Sequence, residues 1–166
     1  MIITIFEDQN HQSLFPLNQI RASFELRCGA FTNYERIRNN INVDDEIHFF
    51  VRNEIREITQ ERYPGITVNP EILSPGIWLN GCALWSEDLI KTVNSSRTYT
   101  NKGRILAIDN HESVSISEID AFMKKSLAVS MENDIPCFHN VWDPIFFQYK
   151  MIIADATHFM DYHHGE

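Results

Sequence analysis

Arg21 and Arg27 lie six residues apart in one segment rich in loop-forming residues. A guanidinium is permanently charged, and its planar fork matches two phosphate oxygens at once. Two such groups in a loop suit an anionic, phosphorylated ligand. Gly29 follows two residues later, where the lack of a Cβ lets backbone approach a phosphate or a nucleobase. The competing reading is structural, with both arginines paired to nearby carboxylates such as Glu7, Asp8 or Glu25.

Other residues offer further chemistry. Asp109, in Asp109-Asn110-His111, is a candidate ligand for a hard cation, or a plain turn residue. Asp143-Pro144 reads as a ligand contact or as the N-cap of a last helix with proline in its first turn. His158, Asp161, His163 and His164 in the tail could hold a transition metal, although nothing local fixes their geometry. Trp78, Trp85 and Trp142 could stack on a base, but buried aromatics are the commoner use. Cys28, Cys82 and Cys137 are odd in number and widely spaced, with no CxxC pair. They read as reduced thiols in the cytoplasm, neither a zinc site nor a disulfide framework.

The elements that must position these residues alternate along the chain. Ile2–Phe6, Glu46–Val51 and Ile66–Val68 are short and apolar, hence strands, and Gly76–Gly81 reads as a strand ending in a turn. Tyr99–Thr100 and Arg104–Ile108 flank the turn Asn101-Lys102-Gly103 and read as a hairpin. Helices are expected over Phe31–Asn40, over Arg52–Tyr63 up to Pro64-Gly65, and from a Ser86 cap to Val93. Two more run from Ser115 or Ser117 to Ala128 and from Asp143 toward Asp155. Strand–helix alternation predicts an α/β domain with a mostly parallel sheet and helices on both faces. In such sheets ligands bind beyond the C-terminal ends of the strands, so the loop after the first strand is the first place to look.

The 166 residues suffice for one domain, read as 1–166. A hydrophobic content of 43% with 22% charged residues is that of a globular protein. The net charge of −9 argues against nucleic acid or an anionic membrane as partner, since both call for a basic field. No apolar run approaches the ~18 residues of a membrane span, and the acidic Glu7-Asp8 follows the apolar start too soon for a signal peptide. A small hydrolase finds no support, because no GxSxG or metal-ligand motif is present.

The stretch Leu14-Phe15-Pro16-Leu17, Arg21, Leu26-Arg27-Cys28-Gly29 and Thr32 resembles the pattern LPLTxTRPxxxLRxGxxT of a sugar nucleotidyltransferase family. That family includes the N-terminal domains of alternative bacterial and archaeal UDP-N-acetylglucosamine diphosphorylases that also carry a glucosamine-1-phosphate acetyltransferase domain. Trp78-Leu79-Asn80-Gly81 with Leu84 is similar to its xxxNGRLL. Gly103-Arg104-Ile105-Leu106-Ala107 is similar to its GxLLA strand, and Val141-Trp142-Asp143 to its PWDL. The resemblance spans nearly the whole chain. It implies a Rossmann-like nucleotide-diphospho-sugar transferase domain in the cytoplasm, with a β-helix domain following in a longer protein.

The implied reaction is attack by a sugar 1-phosphate on the α-phosphate of a nucleoside triphosphate, giving a nucleotide-sugar and pyrophosphate, with Mg²⁺ as cofactor. By the same resemblance Arg21 and Arg27 are the catalytic phosphate contacts. Pro16, Leu17, Gly29, Asn80, Gly81 and Asp143 bind substrate, and Asp109 is the fallback metal ligand. Homo-oligomers are common in the superfamily. The sequence departs from the pattern at three places. Glu7–Ser13 lacks the glycines of better-known members and carries two acids where phosphate would approach. Ile20-Arg21-Ala22 replaces TRP. Cys82 stands where a metal-binding Asp is found elsewhere, and a thiol is no substitute for a hard carboxylate. These departures keep a second reading open: a nucleotidyltransferase-like binding, regulatory or assembly module without turnover.

Overall fold

The computed structural model describes residues 1–93, 97–129, 131–132 and 134–160. In chain order the elements are β1 (Ile2–Phe6), β2 (Arg27–Cys28), β3 (Phe31–Thr32), α1 (Asn33–Asn39), β4 (Glu46–Phe50), α2 (Arg56–Arg62), β5 (Thr67–Val68) and β6 (Ile72–Leu73). Then come β7 (Gly76–Asn80), α3 (Glu87–Thr92), β8 (Thr98–Asn101), β9 (Arg104–Asn110), β10 (Val114–Ser115), α4 (Ile119–Ala128), β11 (Met131–Glu132) and α5 (Asp143–Met160).

Seven strands form the central sheet in the order β11-β8-β9-β7-β1-β4-β5. β1 pairs in parallel with both β4 and β7, β4 with β5, and β8 with β11. β9 runs against both of its neighbours, β7 and β8. The sheet is therefore mostly parallel. The reversed strand is the return leg of the hairpin whose turn holds Lys102 and Gly103 at positive φ.

The period-two alternation of strand side chains divides the core in two. Ile3, Ile5, Ile47, Phe49, Ile77 and Leu79 join the larger cluster, against which Tyr34 and Ile37 of α1 and Ile58 of α2 pack. Phe6, Trp78 and Ile108 belong to the opposite cluster, closed by Ile119, Phe122 and Met123 of α4. Helices thus cover both faces.

The helix starts follow local chemistry. Thr32 caps α1 by accepting from the N–H of Glu35 at 3.1 Å, and the Glu35 carboxylate accepts from the Thr32 N–H at 2.7 Å. This cap delays the helix until Asn33 and leaves Phe31-Thr32 to pair with Arg27-Cys28 as a two-strand ribbon. Ser86 caps α3 through the N–H of Leu89. Asp143 is the first residue of α5, but it is no N-cap: its carboxylate turns back to accept from the N–H groups of His139 (2.6 Å) and Asn140 (2.8 Å).

A buried ion pair seats α5 on the domain. Both guanidinium nitrogens Nη1 and Nη2 of Arg36 reach the Asp155 carboxylate, and the Ala30 N–H adds a bond at 2.8 Å. Gly29 sits between them at φ +82, where a Cβ would collide with the Asp155 carboxylate and lie 2.8 Å from Met151 Cβ. Its freedom is needed for ribbon-to-helix packing.

Candidate active-site cleft

β1, β4 and β7 end at one edge of the sheet, and the antiparallel β9 begins there. Each strand delivers a polar residue to that edge. Glu7 and Asp8 follow β1, Arg52 follows β4, Asn80 ends β7 and Arg104 starts β9. A cleft of about 530 Å³ opens over this edge, walled by residues 7–11 after β1, by Phe50–Asn53, by Gly103–Ile105 and by Ile119, Asp120, Met123, Lys124 and Leu127 of α4. Its size and its place beyond the C-terminal strand ends are those of a small-molecule site in an α/β fold.

The floor of the cleft consists of paired charges. Arg52 donates through Nη1 to both Glu7 oxygens, at 2.7 and 2.6 Å, and through Nη2 to the carbonyls of Asn18 and Gln19. Glu7 Oε1 also accepts from the Ser23 N–H at 3.0 Å. Arg104 reaches Asp8 through Nε and Nη2 and contacts Cys82 Sγ at 3.1 Å. Asp8 accepts as well from Asn80 Nδ2 (2.8 Å) and from the Asn10 N–H (2.9 Å), which begins the short helical turn Gln9–Leu14. The two acids are therefore neutralised within the protein. The two arginines are pinned as counter-ions beneath the loop, not held out toward solvent.

The lining side chains comprise three acids, Glu7, Asp8 and Asp120, and three cations, Arg52, Arg104 and Lys124. Lys124, exposed on α4, is the lining cation without an ion-pair partner among the described residues. Asp120 accepts a bond from Gln9 Nε2 at 3.3 Å, which ties α4 to the loop after β1. Burial pushes the Cys82 thiol up to about 11, so it stays protonated beside Arg104 at neutral pH.

A family model described as sugar nucleotidyl transferase matches residues 3–162. The chain belongs to the sugar nucleotidyl transferase family. No curated protein matches it.

As a sugar nucleotidyl transferase the chain places its sequence-predicted residues in several regions. Arg21 is exposed on the loop after β1, with no side-chain partner among the described residues. Arg27 lies on the ribbon that packs on α5, and donates to the Ala30 carbonyl and to Glu35 at 3.3 Å. The acids expected as alternative partners for these arginines serve others. Glu7 takes Arg52, Asp8 takes Arg104 and Glu25 takes Arg62.

Pro16 and Leu17 are exposed in the turns before Arg21. Gly29 packs against α5, and Asp143 secures the turn before that helix. Asn80 is fully buried one layer beneath the cleft, bonded to Asp8, the Ile105 carbonyl and the Cys82 N–H. At Gly81 a Cβ would lie 2.8 Å from Phe24 Cβ, so this glycine lets the loop after β1 close onto the end of β7. Asp109 sits at the other edge of the sheet, opposite Ile77 at the start of β7, with His111 at 3.3 Å.

None of these residues lines the cleft, whereas Arg52, Arg104, Asp120 and Lys124 do. Of these four, Arg104 had a visible signal, the Gly103–Ala107 match. The tail residues Asp161, His163 and His164, with the side chain of His158, lie outside the described residues. Trp78 and Trp85 are core, and Trp142 is exposed.

The described residues contain no group of three or more His, Cys, Asp or Glu able to hold a metal. The Glu7 and Asp8 oxygens accept from guanidinium, amide and backbone donors.

No helix among the described residues is long and apolar enough to cross a membrane.

Proposed function

We propose that this domain joins a sugar 1-phosphate to a nucleotidyl group in the cleft, releasing pyrophosphate. The observation that carries the reading is the position of the cleft beyond the C-terminal ends of β1 and β4, in a chain of the sugar nucleotidyl transferase family. A phosphate oxygen of the sugar 1-phosphate attacks the α-phosphorus of the triphosphate. The bond to the bridging α–β oxygen breaks, and pyrophosphate leaves with that electron pair. Such chemistry depends on alignment and on cations near the phosphates. Lys124 on the cleft wall and Arg21 on the loop are the available charges, while Arg52 and Arg104 fix the loop that carries Glu7 and Asp8. No step is assigned to Mg²⁺. The resemblance to UDP-N-acetylglucosamine diphosphorylases makes N-acetylglucosamine 1-phosphate with UTP the first pair to try. The three free thiols fit a cytoplasmic setting.

A second reading is favoured by the neutral floor: a domain of this family that binds a nucleotide-sugar without turnover. The two separate in one experiment. Purified protein is incubated with each nucleoside triphosphate and a panel of sugar 1-phosphates, with and without Mg²⁺, and pyrophosphate is measured. Release above background with one pair supports transfer. Background values throughout, with saturable binding of a nucleotide-sugar by calorimetry, overturn transfer and leave the binding module.

A further inference from the structure

The C-terminal helix has two apolar faces, and the fold uses one of them. Inward, α5 rests on the β2–β3 ribbon through Met151 and on α1 through the Arg36–Asp155 pair, with Cys28 Sγ donating to the Pro144 carbonyl. Outward, Trp142 at its start and Ile145, Phe146, Tyr149, Ile152 and Ile153 along it are each between 50% and 78% exposed. At the helical advance of about 100° per residue these six share one stripe roughly 120° wide. None of them is Asp, Glu, Lys, Arg or His.

Large aromatic and aliphatic side chains at such exposures offer on the order of 800 Å² of apolar surface. That exceeds the patch of roughly 300–600 Å² usual on a monomer, and it equals the ~800 Å² that each partner contributes to a standard stable interface.

We propose that this stripe is the interface of a homodimer, with α5 of one copy packed antiparallel on α5 of the other across a two-fold axis. The residue order supports self-pairing. The stripe runs from Trp142, just before the helix, through Ile145, Phe146 and Tyr149 to Ile152 and Ile153 near its middle. Antiparallel pairing about an axis midway along the stripe, between residues 147 and 148, brings Phe146 of each copy to Tyr149 of the other and Trp142 to Ile153. An isologous contact of this kind closes on itself and leaves no growing edge. Charge excludes an anionic membrane as the occupant. The chain carries −9, and Lys150 is the one lysine or arginine of α5, whereas surface-bound helices need a basic polar face.

The test uses the full chain in sedimentation velocity. The expected mass is twice 19.4 kDa. Phe146→Asp and Tyr149→Asp, on the outward face, are expected to halve it while the far-UV circular dichroism of the folded chain stays unchanged. A second variant, Tyr149→Cys, places a thiol near the axis and is expected to form a disulfide-linked dimer on mild oxidation, the native thiols being buried. A monomeric wild type, an assembly that survives both Asp substitutions, or co-pelleting with phosphatidylserine vesicles overturns the proposal.

Discussion

Arg104 closes on Asp8 through Nε and Nη2, the latter at 2.8 Å, and sends Nη1 to the Phe138 carbonyl. One guanidinium thereby joins the loop after β1, the start of β9 and the segment leading to α5. The acid that would repel a phosphate becomes a structural anchor.

Asp8→Asn strands the Arg104 charge, whose side chain is 4% exposed. Removing one partner of a buried pair is expected to cost roughly 3 kcal/mol, read as a lower urea midpoint at unchanged m. Replacing both residues together with apolar ones is expected to return much of that loss. A single variant within experimental error of wild type would refute the anchoring role.

Gly29→Ala adds a Cβ at positive φ against the Asp155 carboxylate and Met151. Backbone strain and collision together are expected to destabilise by about 2 kcal/mol or more. The effect should be absent for Gly65→Ala, where nothing lies within 4 Å of the added carbon. Paired thermal melts decide; equal shifts for the two variants contradict the packing role of Gly29.

Alkaline pH should weaken the fold through its thiols. Burial raises both Cys28 and Cys82 from 9.0 to about 11. In the unfolded chain they ionise near 9, so between pH 9 and 11 the unfolded state holds fewer protons than the native one. Stability is complete below pH 9 and falls as pH rises toward 11, by at most about 1.4 kcal/mol per unit for each thiol. Urea unfolding at stepped pH measures the slope, which Cys82→Ala should make shallower. A flat profile between pH 9 and 11 excludes the effect.

Arg21→Ala removes an exposed side chain without a partner among the described residues, and Arg27→Ala removes a surface pair with Glu35 that is half open to solvent. Both are expected to change stability by less than about 1 kcal/mol. A loss of nucleotide affinity in either, measured by calorimetry, then reports ligand contact, not unfolding. Unchanged affinity in both removes these arginines from the binding site.

Local chemistry was enough to predict much of this protein from sequence. The strands beginning at Ile2, Glu46 and Gly76, read to within one residue of their observed ends, the hairpin around Lys102-Gly103 and the Ser86 cap all arise from neighbouring residues, and so does the α/β alternation that orders the sheet. The motif order likewise pointed to the family. The partners of the charged groups were beyond that reach. Arg52 is 45 residues from Glu7, and Arg104 is 96 from Asp8, and no local pattern couples positions so far apart. Loop residues such as Arg27 and Gly29 looked like ligand contacts because residue type marks capacity, not placement. In the fold Gly29 packs against α5, while Arg27 pairs with Glu35 at the surface. Only the tertiary structure decided which charges the protein neutralises internally, which remain open at the cleft, and which face of α5 is left uncovered, because each depends on surfaces brought together by the sheet.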